Sequence, residues 1–255
     1  MNPFYFGSSD AALYGVYNPP RGRPRPEGVV LCYPFGMEYM RAHRAFRQLT
    51  NLLTRSGLHV LRFDYYGTGD SAGEGAEGSL PLWVENIGTA VEELKDTAGV
   101  TRVSLVGLRL GGLLAARAAM AGEPLDRVVL WDPVVDGAAY VREMVASGDP
   151  VPAGAGTGLP SGSVGVSGFP LTPRLQEEIG AEDLTKLSGF RAERLLLTVS
   201  SEEAPYLALR DAWRRDGVPG EYHHIPSAGN WAEGDKFGSA LIPQAIIQGV
   251  VDCFN

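Results

Sequence analysis

Residues 103–119 read VSLVGLRLGGLLAARAA: an apolar strand, a turn bounded by Gly107 and Gly111, and an Ala/Leu helix. A strand that feeds straight into a helix across four residues is half of a βαβ unit. A sheet built from such units is mostly parallel and covered by helices on both faces, so its strands read as unbroken apolar runs. Further runs of that kind lie at Gly28 to Tyr33, Leu58 to Phe63, Val128 to Trp131, Arg194 to Val199 and Glu221 to Ile225. Between them the helical period is visible, with Trp83, Ile87, Val91 and Leu94 on one face and Ile242, Ile246 and Val250 on another. The alternation predicts an α/β chain whose ligands bind outside the carboxyl ends of the strands.

The remaining segments punctuate this pattern. Pro3 to Phe6 and Ala12 to Tyr17, separated by Gly7-Ser8-Ser9-Asp10, predict an antiparallel hairpin at one edge of the sheet. Residues 147–168, SGDPVPAGAGTGLPSGSVGVSG, are dense in Gly, Pro and Ser and predict an irregular loop. Helical character returns after Pro173. The expected organisation is a single domain over 1–255, with residues 134–190 as an insertion that acts as a lid. No internal repeat interrupts it.

Several classes of function are disfavoured by composition. The chain has 22 basic against 30 acidic residues and a formal net charge of −8, and its longest basic run is Arg214-Arg215. Nucleic acid and anionic membranes are therefore not expected partners. The two cysteines, Cys32 and Cys253, form no disulfide framework. No long apolar stretch and no leader pattern is present, and a cytoplasmic, soluble protein is the expectation. No His-x-x-x-His or Cys-x-x-Cys spacing points to a metal, and no cofactor is expected.

The strand, Gly-x-x-x-Gly and helix order is the layout of a nucleophile elbow, in which flanking glycines let a sharp turn lift the central side chain to the top of the sheet. Here that side chain is Arg109. From these residues the chain resembles the α/β-hydrolase superfamily. Tyr33-Pro34-Phe35-Gly36 sits where that superfamily places its oxyanion-hole turn, and FDYYGTGDSAG at 63–73 matches its strand-plus-glycine loop. PFGMEYMRAHR at 34–44, LRFDYYGTGDSAG, VGLRLGG and LWDPVVDG at 130–137 are similar to the branch of exosortase-A-system-associated hydrolases, which includes a subgroup with arginine at the elbow. The resemblance runs from about residue 28 to the C-terminus and is weakest over 147–168. It implies the α/β-hydrolase fold and carries no substrate.

In that superfamily the acid and the histidine follow the nucleophile in order. Acids stand at both usual places, Asp132 and Glu203, but the turn expected to hold the histidine reads Ser227-Ala228-Gly229-Asn230-Trp231. Asn230 can orient a ligand but has no basic nitrogen to take a proton, and Arg109 is a permanent cation with donors only. Two of the three triad roles are vacant. A cation at a helix N-terminus inside a concave site requires an anion, which is either an internal carboxylate, Glu38, Asp132 or Glu203, or a ligand carboxylate or phosphate. The expected ligand contacts are Phe35, Gly36, Glu38 and Tyr65, Leu108 and Leu110 on either side of Arg109, Trp231, and His43 on the following helix. His223 and His224 alternate along a strand, so at most one of them approaches the working edge.

Three functions compete on this reading. The first is a degenerate-triad protein that binds an anionic or acyl-bearing small molecule and catalyses a non-covalent acid/base step. The second is an esterase or thioesterase in which Glu203 or Asp132 activates water directly. The third is a non-catalytic interaction module with Arg109 internally paired. The oligomeric state is not legible.

Overall fold

A computed structural model describes residues 1–151, 158–227, 231 and 242–254. The chain runs through β1 (Asn2–Phe6), β2 (Leu13–Asn18), β3 (Glu27–Cys32), α1 (Met37–Arg55), β4 (His59–Phe63), α2 (Leu80–Ala98), β5 (Arg102–Leu108), α3 (Leu110–Ala121) and β6 (Leu125–Trp131). Then follow α4 (Gly137–Ser147), β7 (Asp149–Pro150), β8 (Val164–Val166), β9 (Phe169–Leu171), α5 (Pro173–Gly180), β10 (Ala192–Val199), α6 (Ala204–Arg215), β11 (Gly220–His224) and α7 (Gln244–Asp252).

Eight strands form one sheet in the order β1-β2-β4-β3-β5-β6-β10-β11. β1 and β2 pair antiparallel as the expected edge hairpin, β2 meets β4 antiparallel, and every further pair is parallel. The central strands are buried on both faces: Val29, Val30 and Leu31 of β3 and Val128, Val129 and Leu130 of β6 are all fully buried. Helices cover them with the faces the sequence periodicity marks. Trp83, Ile87, Val91 and Leu94 of α2 all lie in the core. α2 starts where Ser79 caps the Leu82 N–H and Pro81 fits the first turn, and ends at Gly99 in the left-handed conformation. This is the α/β-hydrolase fold.

Two expectations need correction. Ile242 precedes α7 and is exposed, so the apolar stripe there begins at Ile246. The 147–168 stretch is more regular than its composition suggests, because β7, β8 and β9 form a small antiparallel sheet of their own. Its β8–β9 turn is Ser167-Gly168, both at positive φ (52° and 90°), the backbone that a two-residue hairpin needs to follow strand twist. Residues 152–157 lie outside the described part of the chain.

Candidate active site

Arg109 stands between the last residue of β5 and the first of α3, with φ 53° and ψ −119°. That region is costly for a residue with a side chain, by roughly 1–3 kcal/mol, and close packing imposes it. A Cβ on Gly107 would lie 2.1 Å from the Gly111 carbonyl oxygen, and one on Gly111 would lie 2.2 Å from that of Cys32. The turn is also tied into the next strand, since the Arg109 N–H donates to the Trp131 carbonyl and the Arg109 carbonyl accepts from the Gly112 and Val134 N–H groups. The side chain therefore projects at the carboxyl edge of the sheet.

What meets it there is Glu38. The oxyanion turn ends at Gly36 with φ 64°, α1 starts at once, and Glu38 falls in its first turn. Its carboxylate accepts from Arg109 Nε at 2.8 Å on one oxygen and from the Tyr140 hydroxyl at 2.8 Å on the other. Arg109 Nη1 donates more weakly to the Asp132 carbonyl and to the Tyr206 hydroxyl, both at 3.3 Å, and the guanidinium lies over the Tyr140 ring, 5.8 Å from its centroid. Glu38 is 6% exposed, and Tyr140 and Tyr206 are buried. Burial opposes the Arg109 charge, yet Glu38 more than offsets this and holds the guanidinium above its ordinary value. Burial first, and the Glu38 charge second, push the Tyr140 phenol well up, so it stays a donor.

Asp132 sits close by in a different role. Its Oδ1 accepts from the Ser200 N–H at 2.7 Å and its Oδ2 from the Trp231 indole N–H at 3.2 Å. Burial raises its pKa above the ordinary value, with the Ser200, Trp231 and Arg109 interactions working the other way. Trp231 is held from its other end by Arg41 of α1, whose Nη1 donates to its carbonyl at 2.7 Å.

Beneath the turn a small apolar cavity of about 10 Å³ is walled by Phe35, Tyr65, Trp83, Leu110, Leu114 and Phe169. It has room for one water at most. Phe169 comes from β9 and packs on Phe35 with ring centroids 5.6 Å apart, and Val166 of β8 presses on Gly36, with Cγ1 3.3 Å from where a Cβ would stand. The small sheet thus sits on the oxyanion turn.

The site residues expected from sequence sort unevenly. Arg109, Glu38, Asp132 and Trp231 come together, as do Phe35, Gly36, Tyr65 and Leu110 around the small cavity. Glu203 does not join them. It is exposed at the start of α6 and accepts from the Ser201 hydroxyl, because α6 begins one residue later and turns it outward. Leu108, the last residue of β5, is fully buried in the core. His43 lies five residues beyond Glu38 on α1 and lines a different groove, over β4. His223 and His224 lie on the edge strand β11 beside Glu221 and Glu202. Asn230 falls outside the described residues. Tyr140 and Tyr206 were not anticipated, since nothing in their helices marks them apart from packing tyrosines. Among the described residues no cluster of His, Cys, Asp or Glu is gathered that could hold a metal ion, and no helix is long and apolar enough to cross a membrane.

Comparison with known proteins agrees with the fold. The sequence profile of Hydrolase_4, serine aminopeptidase, S33, matches residues 25–159, just over half of the chain. The chain belongs to that family. It is 34% identical over 113 residues to the human protein ABHD12B, which is 43% of this chain and 30% of that protein, so it spans less than a third of that relative. Among solved structures it resembles Est1E of Butyrivibrio proteoclasticus with ferulic acid bound, with a TM-score of 0.66 and 17% identity over 98% of both chains. It also resembles the bottromycin epimerase BotH in complex with bottromycin A2, with a TM-score of 0.59 and 20% identity over 100% of this chain and 98% of that one.

Proposed function

We propose that this protein is a degenerate-triad member of its fold that binds an anionic or acyl-bearing small molecule at Arg109 and carries out, if it turns a substrate over, a non-covalent acid/base step. One observation carries the reading: the elbow position holds a guanidinium already bound to a carboxylate, Glu38 Oε1 at 2.8 Å. A ligand carboxylate or acyl oxyanion matches what Glu38 supplies, and a guanidinium offers it two parallel donors. Arg109 Nη2 has no acceptor among the described residues, which leaves one arm of the fork for such a group. Glu38 is then the placeholder that a ligand displaces, and Tyr140 and Tyr206 are the neutral hydroxyls that remain around it. With Asn230 in the histidine's place, the chain lacks both the nucleophile and the base of an acyl-enzyme mechanism. The cavity below Arg109 is too small for a ligand, so entry requires β8 and β9 to lift from Phe35 and Gly36, and the 134–190 insertion serves as the lid. BotH, described as an epimerase, supports the compatibility of this fold with chemistry other than hydrolysis.

A further structural neighbour, the esterase PF2001 of Pyrococcus furiosus, favours a second reading, hydrolysis by directly activated water with Arg109 stabilising the oxyanion. Asp132 is the carboxylate available for that, although both its oxygens already accept hydrogen bonds.

Octanoate serves as the test ligand in calorimetric titration, alongside a fluorophosphonate probe. Binding should weaken about ten- to a hundredfold in Arg109→Ala and recover only in part in Arg109→Lys, whose point charge cannot reproduce the fork. The probe should leave the protein unlabelled. Stoichiometric labelling, or octanoate binding that ignores Arg109, overturns the proposal.

A further inference from the structure

A second cavity opens on the α1 face of the sheet, an open groove of about 360 Å³ between β2, β4, α1 and the loop that follows β4. That volume is within the range of small-molecule sites. Its floor is Arg62 of β4, 8% exposed. Arg62 Nη1 donates to the Tyr33 hydroxyl at 3.2 Å, and its Nε is buried with no acceptor. Among the described residues Arg62 meets no carboxylate within ion-pair distance. The other cations drawn into this fold are treated differently: Arg109 has Glu38, and Arg127 has Glu27 and Asp126. A guanidinium cannot shed its charge, and with the Tyr33 hydroxyl as its acceptor Arg62 keeps donors free for an anion.

The surroundings of Arg62 converge on the same point. His43 and Arg47 lie one turn apart on α1 and both line the groove. Burial, together with the Arg62 and Arg47 charges, holds the His43 pKa below its ordinary value, so it faces the groove neutral, with one N–H to donate. The carboxylate that might have neutralised Arg62 is drawn elsewhere. Asp64 follows the end of β4, two residues beyond Arg62, but its Oδ1 accepts from the Tyr39 hydroxyl at 2.8 Å and its Oδ2 from the Asp70 N–H at 3.1 Å. Arg62 sits opposite Val16 in the β2–β4 register, and the Asp64 N–H donates to the Tyr14 carbonyl. The groove therefore runs along the strands from a cationic end at Arg62 to an acidic end at Asp64 and Asp70, about 7 Å further on.

We propose that this groove is a second ligand site, separate from Arg109, which takes a soluble phosphate monoester with its phosphate against Arg62, Arg47 and His43 and its hydroxyl-bearing body towards Asp70. Two guanidiniums match the charge of a dianion, and a tetrahedral phosphate offers enough acceptors for Arg62, Arg47 and the imidazole together. Asp70 is exposed at the other end and accepts from a hydroxyl, while its charge disfavours a second phosphate there. Tyr33, Tyr39 and Asp64 line both this groove and the apolar cavity, so the two share a wall, while Arg62, Arg47 and His43 line the groove alone.

Calorimetric titration with glucose 6-phosphate, inorganic phosphate and glucose tests the assignment, with phosphatidic acid vesicles as a lipid arm. Glucose 6-phosphate should bind, inorganic phosphate more weakly, and glucose not at all. R47Q alters an exposed helix position and keeps the fold, and it should weaken glucose 6-phosphate about tenfold; R62M should weaken it at least as much. Octanoate, the ligand for Arg109, should not compete with it. Ligand should also raise the midpoint of thermal unfolding in the wild type and not in R62M. No binding of either phosphate at millimolar concentration overturns the proposal, as does binding that R47Q and R62M leave intact or that octanoate displaces. Preference for the vesicles over glucose 6-phosphate overturns the soluble-ligand assignment.

Discussion

Replacing Arg109 with alanine should destabilise the protein, whatever it binds. The change leaves the Glu38 carboxylate 6% exposed with only the Tyr140 hydroxyl as partner. Breaking a buried ion pair from one side costs about 3–5 kcal/mol. The Arg109 side chain keeps 18% of its surface, which points to the lower end, about 3 kcal/mol. Removing a cation from the N-terminus of α3 returns about 0.3–1 kcal/mol, and alanine at φ 53° keeps the backbone strain. A net loss of about 2–3 kcal/mol is expected, which for a chain of this size lowers the thermal midpoint by about 4–12 °C. Urea unfolding followed by circular dichroism measures it. Glu38→Gln in the Arg109→Ala background should recover much of the loss, because an amide oxygen can still accept from Tyr140 without carrying an unpaired charge. If Arg109→Ala unfolds at the wild-type urea concentration, and Glu38→Gln changes nothing in either background, the pairing is not what holds the site.

On the proposed reading, in which Asn230 takes the histidine's place in the sequence, Arg109→Ser should not confer hydrolysis of p-nitrophenyl acetate; brisk turnover by the single variant would show that a base had been overlooked. Asp132 should make stability depend on pH. Its folded pKa is raised above 3.8, so its contribution is fully present below that value and is lost as pH rises through the folded pKa. Asp132→Asn should flatten that part of a stability-against-pH curve, and an unchanged slope would contradict the assignment. Gly36→Ala should cost about 1–3 kcal/mol, since φ 64° strains any side chain and its Cβ would press on Val166 at 3.3 Å; wild-type stability in that variant would mean that β8 yields freely.

The legible part of the structure is the part with strong periodicity. β3, β4, β5, β6 and β10 stand within a few residues of where the apolar runs place them, because strands buried on both faces leave little choice of residue, and the half-buried edge strand β11 also falls where expected. β7, β8 and β9 are two or three residues long and carry Gly and Pro, so no window is long enough to show alternation. Their one signal is Ser167-Gly168, a hairpin turn hidden in a stretch where every residue pair looks like a turn. The partner of Arg109 was open among Glu38, Asp132 and Glu203. What decides it is the start of α1. A side chain in the first turn of a helix leans back towards the N-terminus, so Glu38 reaches over the oxyanion turn to the end of β5. Asp132 is taken by Ser200 and Trp231, and Glu203 is carried outward by α6. Tyr140 and Tyr206 lie 31 and 97 residues from Arg109 in sequence, and no pattern of spacing announces such contacts.

The strained backbone at Arg109 invites the inference that a reactive residue is being displayed there, but the packing around it argues otherwise. Gly107 lies against Gly111, and Gly111 against the Cys32 carbonyl of β3, closely enough that neither tolerates a Cβ. That approach brings α3 down onto the sheet and forces the turn between them, whichever residue occupies position 109. The positive φ is thus inherited from the fold and says nothing by itself about chemistry. The side chain is where function must be argued, and there the fold has placed a group that cannot act as a nucleophile, supplied its counter-charge from the first turn of α1, and packed β8 and β9 on Phe35 and Gly36 just before that helix. A carboxylate already in the position of a ligand is compatible with binding only if it can be displaced. The energy that Glu38 gives the folded state is therefore also the barrier a ligand must overcome, and affinity at Arg109 should rise in Glu38→Gln as the competing anion is removed. Octanoate binding measured across wild type and Glu38→Gln decides the point: an unchanged or weaker affinity in the variant would mean that Arg109 and Glu38 serve the fold alone.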